Sequence, residues 1–136
     1  MRKAIICDLD GTLITNPEWD GDLDKFYLNI IDGFPNEWCV LLLKGFAKLG
    51  IKIIFITARN EKSRSQTVFQ LNSWFDFNYE LYMRGREDLR EDYIIKEEYV
   101  KELLKKYDII LSIDDNPDNC IMFQNYFPTL QVFNLE

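Results

Sequence analysis

The stretch Cys7-Asp8-Leu9-Asp10-Gly11-Thr12-Leu13 constrains this chain more than any other. It overlaps Ala4-Ile5-Ile6-Cys7, a short apolar run that reads as a strand buried on both faces. Gly11-Thr12 then breaks the strand. Two carboxylates therefore sit where a buried strand opens into a loop. In open α/β sheets the carboxyl ends of the strands are where ligands bind. Asp8 and Asp10 are two residues apart, so their side chains share a face if the strand continues that far. Anions held that close repel unless a cation joins them. Hard carboxylate oxygens suit a hard ion, and Mg2+ is the expected one. The plain alternative is an Asp-Gly turn closing a hairpin.

Downstream, helical and strand patterns alternate. Asn36 reads as an N-cap and Gly50 as the stop of a helix carrying Trp38, Leu41, Leu42, Phe46 and Leu49. Residues 51–57 read as a second buried strand. Asn60 is expected to cap a helix with Val68, Leu71, Trp74 and Phe75 on one face. Residues 79–83 are the third strand. Asp92 is expected to cap a helix with Val100, Leu103, Leu104 and Tyr107 inward, and residues 109–113 form the fourth strand. Asn116-Pro117 opens a helix as a cap followed by proline at the first position, and residues 129–133 are a fifth strand. Residues 14–35 are rich in turn signals and hold at most a short helix, with Leu23, Phe26 and Ile30 on one side. The alternation predicts βαβ units: a Rossmann-like, three-layer α/β sandwich around a mainly parallel five-stranded sheet, in one domain over residues 1–136.

Composition narrows the chemistry. A length of 136 residues suits one domain with a real core. The net charge of −7 rules out coating nucleic acid by bulk electrostatics, so such contacts need a local basic patch. There is no histidine, which excludes Ser-His-Asp triads, histidine general bases and His-ligated zinc. Cys7, Cys39 and Cys120 form no CxxC pair or disulfide framework, which fits a reducing cytoplasm. No leader or membrane span is expected, because charged residues interrupt every apolar run.

On this architecture Asp8 and Asp10 follow strand one, Thr57 ends strand two, and Asp114 with Asp115 ends strand four. A parallel sheet brings all of these to one edge. Lys96, in the first turns of the preceding helix, reaches that edge too. Lysines that only solvate a helix need no such position, and Lys101, Lys105 and Lys106 are read that way.

Asp-Leu-Asp-Gly-Thr-Leu resembles the first motif, DxDGT[LV], of the haloacid dehalogenase-like (HAD) phosphohydrolases. The order Asp, Asp, Thr, Lys, Asp, Asp resembles that family's four motifs across almost the whole chain. The resemblance implies a capless HAD-like fold, with residues 14–35 as a small flap. It implies that Asp8 is a nucleophile forming an aspartyl-phosphate, and that Asp10 serves as general acid and base. Thr57 and Lys96 complete the catalytic set. Mg2+ is implied on the Asp8 and Asp114 side chains and the Asp10 backbone carbonyl, with Asp115 supporting the metal's water shell or Lys96.

A narrower resemblance spans residues 83–96. Met83-Arg84-x-x-x-Asp88-x-Arg90-x-Asp92-x-x-x-Lys96 is similar to the phosphatase domain of phage-type polynucleotide kinase/3′-phosphatases. It implies that Arg84, Arg90 and Asp92, with Arg59 after Thr57-Ala58, hold the phosphate and nucleotide. The plain alternative is a solvated loop of mixed charge. Two departures stand out: residues 14–35 lack the arginine that the family carries there, and the chain has no GxxxxGK[ST] phosphate loop. The implied activity is therefore a phosphatase module alone. It would be a Mg2+-dependent phosphomonoesterase, favouring a 3′-phosphate on a polynucleotide end. The alternatives are a nucleotide or another small metabolite. A receiver-like signalling module uses similar residues, but places its lysine last.

Overall fold

A computed structural model of the chain describes residues 1–16 and 32–133. The apolar run forms the end of β1 (Arg2–Cys7), and Ala4, Ile5, Ile6 and Cys7 are all buried. β1 is the central strand of a five-stranded sheet. β4 (Lys52–Asn60) flanks it on one side and β5 (Tyr79–Arg84) lies beyond. β6 (Tyr107–Asp114) flanks it on the other, with β7 (Thr129–Gln131) outside. Every pairing is parallel. Parallel strands need crossovers, and helices supply them on both faces.

Side-chain alternation along β1 feeds two cores. Ile5 and Cys7 join Ile53 and Phe55 under α1 (Glu37–Lys48) and α2 (Arg64–Trp74), meeting Cys39, Leu43 and Leu71. Ala4 and Ile6 join Ile54 and Ile56 under α3 (Asp92–Leu103) and α4 (Pro117–Phe123), meeting Val100, Leu103, Met122 and Phe123. Phe55 anchors the first core, its ring 5.9 Å from Phe75 and 5.4 Å from Tyr79. Truncating such a ring costs about 3–5 kcal/mol.

Several boundaries differ from the sequence reading. β4 continues to Asn60, because a register shift against β5 between Thr57 and Asn60 lets the chain bulge and resume pairing. β6 takes in Tyr107, which the periodicity had assigned to the helix. α3 stops at Leu103, so Lys105 and Lys106 lie beyond it. Asn36 precedes α1, but its side chain caps nothing: it donates to the Thr12 carbonyl at 2.8 Å and accepts from Thr15 Oγ1 at 2.7 Å. Asp92 is helical, and Glu91 occupies the N-cap position. Gly50 takes a positive φ of 82° at the end of α1, as expected. A small ribbon, β2 (Ile14–Thr15) with β3 (Phe34–Pro35), was not foreseen, since two-residue strands are too short to show a period. The short helix expected around Leu23, Phe26 and Ile30 lies outside the described residues.

Candidate active site

The chain runs from β1 outward through β4 to β5, then crosses back to β6 on the other side. The crevice at the carboxyl end of β1 is thus a topological switch point, where such sheets bind ligands. A cavity of about 330 Å3 opens there. Asp8, Asp10, Thr57, Asp92, Lys96, Asp114 and Asp115 all line it, on segments far apart in sequence.

Asp8 follows the last residue of β1 and is 7 % exposed. Its Oδ1 accepts from Lys96 Nζ at 2.9 Å, and its Oδ2 from Thr12 Oγ1 at 3.2 Å. The same ammonium donates to Asp114 Oδ2 at 2.8 Å. Lys96 is therefore a buried cation bridging the ends of β1 and β6. Asp114 also accepts from the Asn116 backbone at 2.9 Å and from Asn119 Nδ2 at 3.2 Å. Asn116 caps α4 through the Asn119 N–H, with Pro117 at the first helical position as the sequence required.

Burial pushes the Asp8 carboxyl well above the usual carboxylate range; Lys96 opposes this, and the Asp114 and Asp115 charges add to it. Burial works against the Lys96 ammonium, yet the two carboxylates outweigh it and hold its pKa above the ordinary lysine value. Burial also raises Asp115, and the Asp114 charge raises it further.

Oxygens of Asp8, Asp114 and Asp115 lie within 4.8 Å of one another. Gly11 makes this approach possible. Its φ is +87°, and a Cβ there would fall 2.2 Å from Asp115 Oδ2. The three carboxylates form a hard-oxygen donor set, crowded and short of positive charge, which fits a divalent cation. A second observation agrees: Asn119 Oδ1, buried on the same cavity, has no hydrogen-bond partner among the described residues.

The Asp10 carboxylate lines the same cavity but has partners of its own. Arg59 grips it with Nε on Oδ2 at 2.8 Å and Nη2 on Oδ1 at 2.7 Å. Asn16 Nδ2 adds a bond to Oδ1 at 2.6 Å. Arg59 is itself 2 % exposed, with Nη1 held by Thr67 Oγ1 at 3.1 Å and Gln70 Oε1 at 2.9 Å. The bulge after Thr57 aims Arg59 inward. Thr57 Oγ1 accepts the Arg59 backbone N–H at 3.1 Å, which leaves its own O–H to donate elsewhere.

The arginine loop is held differently. Arg84 spends its donors on the Ala58, Asp88 and Arg90 carbonyls and on the Asp92 carboxylate. Arg90 pairs with Asp88 and Glu98. The structure thus joins Arg84 to the cavity through Asp92 and Arg59 through Asp10, while Arg90 faces acidic side chains of its own loop and of α3. Sequence reasoning missed Thr12, Asn119, Thr67 and Gln70. Asn119 could have been found as the polar residue one turn into a helix that starts beside two aspartates. Thr67 and Gln70 carried no such signal, being ordinary polar residues of a helix.

Residues 2–135 match the family model of the polynucleotide kinase PNKP phosphatase domain. The chain belongs to that family. Two solved structures, of the Pnkp1/Rnl/Hen1 complex and of the Pnkp1/Rnl/Hen1 RNA repair complex, each contain a similar chain at 30% identity and a TM-score of 0.84. The alignments cover 97% and 96% of this chain but 46% and 42% of those chains, so this chain spans less than half their length. The class C acid phosphatase from Bacillus anthracis with tungstate bound shares the fold, at 19% identity and a TM-score of 0.67, over 87% of this chain and 53% of that one. No curated protein sequence matches significantly. The architecture is thus the HAD-like α/β fold read from the motifs, and the chain is a HAD-type phosphatase domain. Among the described residues, no helix is long and apolar enough to cross a membrane.

Proposed function

We propose that this domain is a Mg2+-dependent polynucleotide 3′-phosphatase working through an aspartyl-phosphate. The observation that carries the phosphatase chemistry is Lys96 held between Asp8 and Asp114 at the floor of the switch-point cavity. Three clustered carboxylates, Asp8, Asp114 and Asp115, share Lys96 as their one buried cation among the described residues, while Arg59 is taken up by Asp10. A phosphomonoester brings nearly two more negative charges, so this set needs a further cation before an aspartate can reach phosphorus. Mg2+ would be held by the Asp8 and Asp114 side chains and the Asp10 carbonyl, with Asp115 supporting its waters, and would supply charge neutralisation at the transferring phosphoryl group.

The chain's own residues do the rest. An Asp8 oxygen attacks phosphorus as the ester oxygen departs, and Asp10 hands that oxygen a proton. Asp10, now ionised, takes a proton from the water that attacks the phosphorus of the aspartyl-phosphate. The P–O bond to Asp8 breaks and phosphate leaves. Arg59 keeps Asp10 aimed through both half-reactions. The Thr57 hydroxyl donates to a phosphoryl oxygen, and Lys96 neutralises the nucleophile's surroundings without leaving its seat. Asp92, oriented by Arg84, stands at the mouth where the rest of the substrate emerges. Arg90, paired with Asp88 and Glu98, has to exchange those partners to reach substrate.

Support for a nucleic-acid end comes from the family and from the RNA repair complex that holds a similar chain. It also comes from length: the span between Thr15 and Phe34 is too short for a folded cap enclosing a small metabolite. The test is a panel of 3′- and 5′-phosphorylated oligonucleotides, mononucleotides and sugar phosphates, assayed with Mg2+. A short 3′-phosphorylated oligonucleotide should give the highest kcat/KM. If a mononucleotide or sugar phosphate wins by a wide margin, the polynucleotide reading fails and the phosphomonoesterase assignment remains.

A further inference from the structure

A second groove, of about 420 Å3, runs beside the catalytic cavity between the same two helices. On α3, Asp92 and Lys96 line the cavity, while Tyr93 and Glu97 line the groove. Each pair is four residues apart, so the helix presents two neighbouring stripes, one to each hollow. On α4, Pro117 and Asn119 line the cavity, while Asp118, Ile121 and Met122, with Asn125 just beyond the helix, line the groove. The two hollows therefore adjoin along one helix–helix seam.

The groove's chemistry differs from the cavity's. Tyr93 is 38% exposed and Ile121 64%, an aromatic ring and a branched aliphatic left open to solvent. Met122 is buried among the lining side chains. Glu97 and Asp118 add two carboxylates, Glu97 accepting from Tyr126 Oη at 2.8 Å. Two anions repel a phosphate, so no backbone phosphate belongs here. A flat, neutral ring with N–H groups on its edge suits all of these features: it stacks on Tyr93, covers Ile121 and donates to the carboxylates.

We propose that the α3–α4 groove is the subsite for the terminal nucleobase, with Tyr93 as its stacking platform and Glu97 with Asp118 as acceptors for its amino groups. This rests on the polynucleotide 3′-phosphatase reading above. A 3′-phosphate seated at Asp8 places its own nucleoside one sugar away, where the seam leads from one hollow to the next. The acidic pair also sets the polarity of the site: the chain's remaining phosphates must leave on the side away from α4. Adenine, cytosine and guanine carry exocyclic amino groups with two N–H donors, whereas uracil and thymine offer only the single ring N3–H on that edge, so a pair of acceptors favours the first three.

The experiment compares a 3′-phosphorylated trinucleotide carrying adenine at its 3′ end with the same molecule made abasic there, both with Mg2+. The readout is the ratio of their kcat/KM values in wild type, Tyr93→Ala and Tyr93→Trp. Tyr93 is partly exposed, so truncating it should spare the fold, and thermal melts check this. The wild-type ratio should favour the adenine end about tenfold, the size of one stacked base. Tyr93→Ala should bring the ratio close to one, mainly through KM, and Tyr93→Trp should keep it. The Asp118→Asn variant should narrow the preference for adenine over uracil. An unchanged ratio in Tyr93→Ala overturns the groove assignment and leaves the polynucleotide reading standing. Turnover of both trinucleotides no better than that of a sugar phosphate overturns the polynucleotide reading, and the groove with it.

Discussion

Arg59 clasps Asp10 through two parallel N–H···O bonds, at 2.8 and 2.7 Å, and does so from a fully buried seat on α2's polar side. A planar fork matches a carboxylate in a way an ammonium cannot. Arg59→Lys should therefore lose much of the aim of Asp10, and Arg59→Ala nearly all. General acid–base help is typically worth about 10²–10⁴-fold, so Arg59→Ala should approach the Asp10→Asn loss in kcat. With a phenolic leaving group, which needs little protonation, both losses should shrink. Equal losses for alkyl and phenolic esters would deny Asp10 the acid role.

Asp8 and Lys96 should respond oppositely to removal. Asp8→Asn relieves a carboxylate that burial already disfavours, so without metal it should melt no lower than wild type, while turnover disappears. Lys96→Met leaves two buried carboxylates facing each other, a change of the kind that costs about 3–5 kcal/mol. Thermal melts and a burst assay separate these effects. Wild-type turnover in Asp8→Asn would mean that another group is the nucleophile.

Divalent cation should be required for activity and should also stabilise the fold. Exhaustive chelation is expected to stop turnover, and Mg2+ at about 100 times its Kd should add roughly 2.7 kcal/mol of stability. Calorimetry with and without Mg2+ reads this directly. In Asp114→Asn the added stability should largely vanish, while the metal-free protein still folds.

Arg84 staples the loop, so its loss should disturb more than a charge. Arg84→Ala frees the Asp88 and Arg90 carbonyls and lets Asp92 drift. Activity on a 3′-phosphorylated oligonucleotide should fall, and limited proteolysis should now cut near residue 88. Arg90→Ala should lower activity without that new cut. Identical digestion of Arg84→Ala and wild type would assign Arg84 no stapling role.

Far from the site, Glu80 gives a pH signature. Partial burial works against its carboxylate, but the Tyr107 and Tyr82 hydroxyls outweigh it and hold its pKa below the ordinary glutamate value. A depressed folded pKa contributes stability above the unfolded pKa, and that stability is lost as pH falls through the folded value. Glu80→Gln should therefore be less stable than wild type at pH 7, by at most about 1 kcal/mol for so exposed a group. The gap should close as pH falls toward 3. Urea titrations at several pH values measure it.

The strands of the parallel sheet and the chain order of the acidic groups were legible in the sequence, whereas the strand order came from the fold. Apolar runs at residues 4–7, 51–57 and 109–113 could only be strands buried on both faces, since helical crossovers cover a parallel sheet above and below. That in turn put Asp8, Thr57 and Asp114 at one edge, because all their strands point the same way. Local signals of this kind survive in sequence because each depends on neighbours a few residues away.

Which charges meet depends on packing between distant segments. Nothing in Arg59, Thr67 and Gln70 as letters says that two polar residues of a helix will seat a guanidinium, or that a bulge after Thr57 will aim it at Asp10. Nor does the arginine loop's sequence reveal that Arg84 turns onto carbonyls while Arg90 turns onto Asp88 and Glu98. Long polar side chains have many rotamers of similar energy, and only the partners that folding brings within hydrogen-bond reach select among them. The groove along Tyr93 and Ile121 is decided in the same way, by how α3 and α4 pack, residues the one-dimensional pattern leaves merely on a solvent face.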